Sequence, residues 1–180
     1  MLAGGGNPMT PRPPETEYAP FYAGYVALVT EIDILAVLEG QVEAIRGALA
    51  SVPAGKESHR YAEGKWSLRQ VLGHLVDGER VFGYRAFCFS RGEEAPLPSF
   101  DENQYVAAAR SDSIPLAELV EELALVRRGN LAVLRRLDDR EWSRVGTASG
   151  KPVSVRALAW IMAGHPRHHL NILRERYGVS

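Results

Sequence analysis

The sequence predicts an all-α protein, a four-helix bundle preceded by an extended N-terminal arm. Three observations carry this prediction. Four long stretches repeat apolar residues at helical spacing. Each opens on a start signal and closes on a glycine, a proline or a polar turn. No stretch alternates apolar and polar residues well enough to read as a convincing strand.

Residues 1–20 read as the arm and residues 21–180 as a single helical-bundle domain. GGGNP and TPRPPETEYAP are too rich in glycine and proline for a regular helix, so the arm should lie on the surface or be partly disordered. Tyr18, Phe21, Tyr22 and Tyr25 suggest that its end packs against the body. The first long helix is expected from Asp33, a good N-cap, to Ala50, with Ile34, Leu38, Val42, Ile45 and Leu49 on one face. Val52-Pro53-Ala54-Gly55 stops it, and a loop containing His59 follows. The second has the strongest signal. Ser67 and Gln70 have the spacing of a capping box, and Trp66 and Val71 that of a hydrophobic staple. It should run to about Ser90. Gly92, Pro96 and Pro98 break the chain, and Asp101 then caps a short helix, Glu102 to Ala109. Pro115 sits in the first turn of the third long helix, whose stripe runs from Leu116 to Leu137. Asp138 to Trp142 reads as a turn or short helix. Thr147 to Pro152 reads as loop, with a small turn at Gly150-Lys151. The fourth long helix starts at Ser154 and ends at Tyr177-Gly178. Four long helices make a bundle the economical architecture. The long connection after the second helix allows a topology other than simple up-and-down.

Composition excludes several classes. The chain has 180 residues, a length that suits one domain, and a formal net charge of −1. That balance gives no reason to expect a nucleic-acid or membrane-surface partner. One cysteine, Cys88, excludes an internal disulfide framework and fits a reducing compartment. The first residues lack the basic and apolar segments of a signal peptide, and no stretch is apolar enough to span a bilayer. A soluble cytoplasmic protein is expected.

The chemistry concentrates in Gly164-His165-Pro166-Arg167-His168-His169-Leu170, which holds three of the five histidines. His165 and His169 are four apart, so a helix stacks them one turn apart on one face. Neutral imidazoles so placed suit a divalent transition metal, and a third ligand is needed to hold it. His74, within an apolar run of the second helix, is the natural candidate. Pro166 removes the backbone bond to Met162 and should kink the helix just before the pair. If instead the helix restarts at Pro166, His165 becomes its cap and the stacking loosens.

Other polar residues have weaker claims. His168 points about 100° away from His169 and reads as supporting or exposed rather than as a ligand. Asp77 lies about a turn beyond His74. It is a candidate for hydrogen-bonding a metal-bound water, or else an ordinary solvated or ion-paired helix carboxylate. Glu79 should pair with an arginine. Cys88 stands fourteen residues past His74, roughly 21 Å along a helix, too far to share a metal, and reads as a core residue. Trp66, Trp142 and Trp160 read as packing residues.

Lys65-Trp66-Ser67-Leu68-Arg69-Gln70-Val71-Leu72-Gly73-His74-Leu75, with its continuation Glu79 to Arg85, resembles the second-helix motif of the DinB/YfiT-like superfamily. The segment Gly164 to Leu170 is similar to that family's last-helix motif, and Glu15 to Tyr25 to the arm of many members. The resemblance covers nearly the whole chain. It implies a four-helix bundle with a divalent metal, nickel or zinc, on His74, His165 and His169. It also implies a homodimer, and an enzyme acting on a small molecule, such as a thiol-dependent S-transferase or related hydrolase using a low-molecular-weight thiol. Pro166 departs from the motif, where many members carry an acidic or other helix-tolerant residue. Apart from the metal ligands, catalytic residues are unassigned. The alternative is a non-catalytic bundle that binds a metal or small ligand. An open cavity over the histidines separates the two, because an enzyme needs coordination positions left for substrate.

Overall fold

The start signals in the sequence correspond to hydrogen bonds in the structure. In the computed structural model, which describes residues 10–53 and 55–179, helix α1 (Ala23–Ala27) is followed by α2 (Ile34–Leu49). Asp33 caps α2 by accepting from the Ala36 N–H at 3.0 Å. Helix α3 (Leu68–Ser90) opens on the full capping box of Ser67 and Gln70. Then come α4 (Glu102–Ala109), capped by Asp101, α5 (Leu116–Leu134), α6 (Asp139–Trp142), and α7 (Val155–Tyr177), capped by Ser154. Gly178, at φ +69°, ends α7 in the left-handed conformation that glycine adopts without penalty. The first nine residues of the arm, Ala54 in the stop after α2, and Ser180 lie outside the described residues. Among the described residues no helix is long and apolar enough to cross a membrane.

The four long helices are α2, α3, α5 and α7. Helix α3 packs between α5 and α7, and α2 closes the ring between the same two. Consecutive long helices α2 and α3 therefore stand diagonally opposite, so the bundle is not a simple sequence of neighbours. Two apolar clusters fill it. One joins Val26, Leu38, Phe82, Leu131 and Trp160, and the other Val42, Leu72, Leu75, Leu123 and Leu173. Cys88, Trp142 and Trp160 belong to the first, as expected of packing residues.

Three expectations need correction. Residues 147–152 are not loop: β1 (Val145–Ala148) and β2 (Lys151–Ser154) form an antiparallel hairpin. Ser149 and Gly150 turn it at φ +53° and +70°, the pair of positive values that a type I′ hairpin turn requires. Leu97 bridges alongside β1, its N–H donating to the Thr147 carbonyl at 2.8 Å. Pro152 is tolerated because it faces Thr147, one pair beyond the pair that closes the turn, where the strands exchange no hydrogen bonds. Helix α5 ends at Leu134, with Leu137 buried beyond it, and Pro115 stands at its N-cap rather than inside its first turn.

The described part of the arm is tied down, not loose. Arg12 donates to the carbonyls of Val26 and Val29, and Tyr18 is buried. Short 3-10 turns at Glu15–Glu17 and Pro20–Tyr22 lead into α1. Glu17 pairs with Arg156 and accepts from Ser154 Oγ at 2.7 Å, so the residue that caps α7 also anchors the arm.

Candidate metal centre

Helix α7 runs unbroken through Pro166. The lost hydrogen bond is supplied from another helix. Met162, whose carbonyl would have accepted from residue 166, accepts instead from Arg127 Nη2 on α5 at 3.2 Å. Its neighbour, the Ala163 carbonyl, accepts from Gln41 Nε2 on α2 at 2.7 Å. Arg127 is 2% exposed and also bonds both Glu79 carboxylate oxygens at 2.8 Å, the Leu38 carbonyl and Gln41 Oε1. Asn130 adds a donor to Glu79 at 2.8 Å. A buried charge pair is tolerated when its remaining lone pairs and protons are satisfied in this way. Glu79 thus has the arginine partner expected of it, and His165 stays on the same face as His169.

Two glycines let the histidines approach. A Cβ on Gly78 would lie 2.7 Å from His165 Cε1, so glycine on α3 leaves room for the ring. A Cβ on Gly164 would collide with the Tyr25 backbone carbonyl, so α1 packs directly onto the backbone of α7 beside His165.

His74, His165 and His169 then converge. One nitrogen of each lies within 4.8 Å of the others, all three side chains are buried, and His74 Nε2 and His165 Nε2 are 2.9 Å apart. Two ligands of one tetrahedral zinc stand about 3.3 Å apart, given bonds near 2.0–2.1 Å, and the observed separations bracket that value. Burial drives the His74 imidazole down to about 4 and that of His169 to about 3. His165 falls well below its usual range, first through burial and then through the neighbouring histidines. All three are therefore neutral near pH 7, the form that donates a lone pair to a metal. None of the three rings donates to a backbone carbonyl among the described residues, and His74 Nδ1 is buried with no protein partner. Such orphaned buried nitrogens are rare. The donor set, its neutrality and its spacing fit a divalent transition ion.

The other candidates fall outside this cluster. His168 is half-buried, its ring 5.2 Å from Tyr25. His59 lies in an exposed loop with its ring against Tyr177. Asp77 does not line the cavity over the histidines. Its charged neighbours are Arg80 and Glu122, and burial raises its carboxyl above the usual range. Three residues turn a helix by 300°, which points Asp77 about 60° away from His74. Trp66 packs against the second apolar cluster, as expected of a packing residue, and its ring also lies 4.8 Å from that of His74.

A cavity of about 480 Å³ opens over the histidines. Phe21, Tyr22, Tyr25, Trp66, Phe82 and Phe100 wall it, and Glu102, Ser149 and Lys151 are its other polar side chains. Sequence reading missed these three. Glu102 was legible only as the first residue after a cap, and Ser149 and Lys151 only as loop.

Fold and site together define a class: a helical bundle that gathers three neutral histidines at the floor of an aromatic cavity. Residues 37–173 match the model of the family described as the DinB superfamily, and the chain belongs to that family. It is 24% identical over 115 residues to a protein of Oceanobacillus iheyensis whose name proposes a metal-dependent hydrolase. That match covers 63% of this chain and 65% of the relative, just under two thirds of its length. Among solved structures it is similar to YfiT from Bacillus subtilis, described as a probable metal-dependent hydrolase with an unusual four-helix bundle topology. The TM-score is 0.74 at 20% identity, over 91% of this chain and 95% of that one. It is also similar to a mycothiol-dependent maleylpyruvate isomerase, with a TM-score of 0.63 at 16% identity, over 77% of this chain and 58% of that one. At these identities the two structures establish the shared fold.

Proposed function

We propose that this protein is a metal-dependent enzyme whose His74, His165 and His169 hold one divalent transition ion, nickel or zinc. The reaction is hydrolysis of a small molecule or transfer of a low-molecular-weight thiol to it. The observation that carries this reading is the convergence of three buried, neutral imidazoles on an open cavity. An ion held by these three residues would supply Lewis acidity, the chemistry that can make a water or thiol nucleophilic near neutral pH. The chain's own residues do the rest. The aromatic wall seats an apolar body and excludes water. Glu102, the one carboxylate among the described lining residues, is the group we assign to take up the released proton. A closed structural site would leave no such cavity, and this favours the enzyme over a purely structural module. The homodimer implied by the resemblance and the cytoplasmic location expected from the sequence belong to the same reading, and sedimentation velocity tests the first.

Metal content is the test. Elemental analysis of untagged protein should find close to one nickel or zinc per chain, and His165→Ala should lose it. Protein that takes up neither ion on incubation would sink the proposal.

A further inference from the structure

The cavity's end at the β1–β2 hairpin has a construction that the metal centre does not explain. Ser149 and Lys151 flank Gly150 at the turn, and both line the cavity. Ser149 holds φ +53°, a left-handed conformation that residues other than glycine seldom adopt. The turn is fixed from outside, since the Ser149 N–H donates to the Leu97 carbonyl at 3.1 Å. Its hydroxyl accepts from Arg85 Nη2 at 3.0 Å, and the same nitrogen donates to the Pro98 carbonyl at 2.8 Å. Arg85 is 2% exposed and forms no ion pair among the described residues. A buried guanidinium without a counter-charge projects its field towards the group it holds. With one lone pair engaged by Arg85, the Ser149 hydroxyl retains its own proton to donate. Lys151 adds an ammonium one residue beyond the turn.

We propose that the hairpin tip is an anion subsite. The substrate class is then a carboxylate joined to an apolar body, its carboxylate on Lys151 and Ser149, its body on the aromatic wall, and its reacting group towards the histidines. A hydroxyl donor beside an ammonium is the pairing that charge-assisted recognition of a carboxylate uses. Among the described lining residues Glu102 alone bears an opposing charge. It lines the same cavity as His74, and its charge acts on that imidazole, which associates it with the histidine end. This inference rests on the cavity being the substrate site of the proposed enzyme.

The test is a ligand-observed NMR titration with 3-phenylpropanoate and its neutral amide. It is run on the full chain loaded with zinc and again after chelator treatment. The carboxylate should bind at least tenfold more tightly than the amide in both forms. Lys151→Met should reduce that preference below threefold. Ser149→Gly, which relieves the positive φ and keeps the turn, should weaken carboxylate binding more than amide binding. Equal binding of the two compounds, no binding of either, or a preference that survives Lys151→Met would overturn the subsite. A preference seen only with zinc and indifferent to Lys151 would place the carboxylate on the metal, overturning the subsite while leaving the metal reading intact. A Lys151-dependent preference in protein that never takes up zinc would support the subsite and remove the metal.

Discussion

His165 illustrates how much must be arranged around one imidazole. It needs a glycine opposite it on α3, a glycine before it where α1 lies on α7, and a helix that continues past a proline. The result is a ring buried in neutral form beside two others. Protonation then works against the fold. The ordinary histidine value is 6.5, and here His74 lies near 4 and His169 near 3. Between those values and 6.5 the unfolded chain binds protons that the folded chain does not. Stability is therefore fully present above pH 6.5 and falls as pH drops below it, by up to about 1.4 kcal/mol per pH unit for each histidine. Urea unfolding of chelator-treated protein at pH 7.5, 6.0 and 5.0 should show this loss. His169→Leu should show a shallower slope, and a slope unchanged in that variant would contradict the assignment.

At the scale of elements, α7 carries two of the three histidines and takes its position from its neighbours. Gly164→Ala would drive a methyl group into the Tyr25 carbonyl, so α1 must retreat and the cavity wall with it. A loss of about 2 kcal/mol is expected, within the range for overpacking, and thermal unfolding measures it. A value near zero would mean that the two helices separate freely. Elements with local signals were legible in the sequence. Asp33, Ser67 with Gln70, Asp101 and Ser154 each make the cap that their spacing indicates, because capping bonds join residues two or three apart. The histidine pair was legible for the same reason, and His74 through its motif. The hairpin was not. Its strands are four residues each, they contain Gly146 and Pro152, and their stability comes partly from Leu97, 51 residues before its bridge partner Ala148. Arg127 was hidden inside an ordinary amphipathic stripe. Nothing local shows that its guanidinium reaches a carbonyl on α7.

The whole molecule is a bundle with two apolar clusters and a polar layer between them. Gln41, Glu79 and Arg127 lie in that layer, one from each of α2, α3 and α5, with the Met162 and Ala163 carbonyls of α7. The histidine cluster sits beside it, so the charges that join the helices also set the height of the three histidines in the bundle. Removing one member leaves another stranded. Arg127→Met should cost about 3–5 kcal/mol, because Glu79 remains buried without a counter-charge. Chemical denaturation of the variant tests this, and a cost below 1 kcal/mol would mean that Glu79 finds water instead.

The bond from Arg127 to the Met162 carbonyl also makes the effect of one substitution depend on another. Pro166 is tolerated because a side chain on α5 replaces the missing backbone donor. In a Pro166→Ala chain residue 166 has its own N–H, and that duty of Arg127 disappears. The two changes should therefore be non-additive. The Arg127→Met, Pro166→Ala double variant should be more stable than the sum of the single effects by about 1 kcal/mol, the net worth of one hydrogen bond. The order in which such substitutions accumulate would then matter. Losing the proline first opens a route to losing the arginine, whereas losing the arginine first leaves an orphaned carbonyl at the turn that carries the histidines.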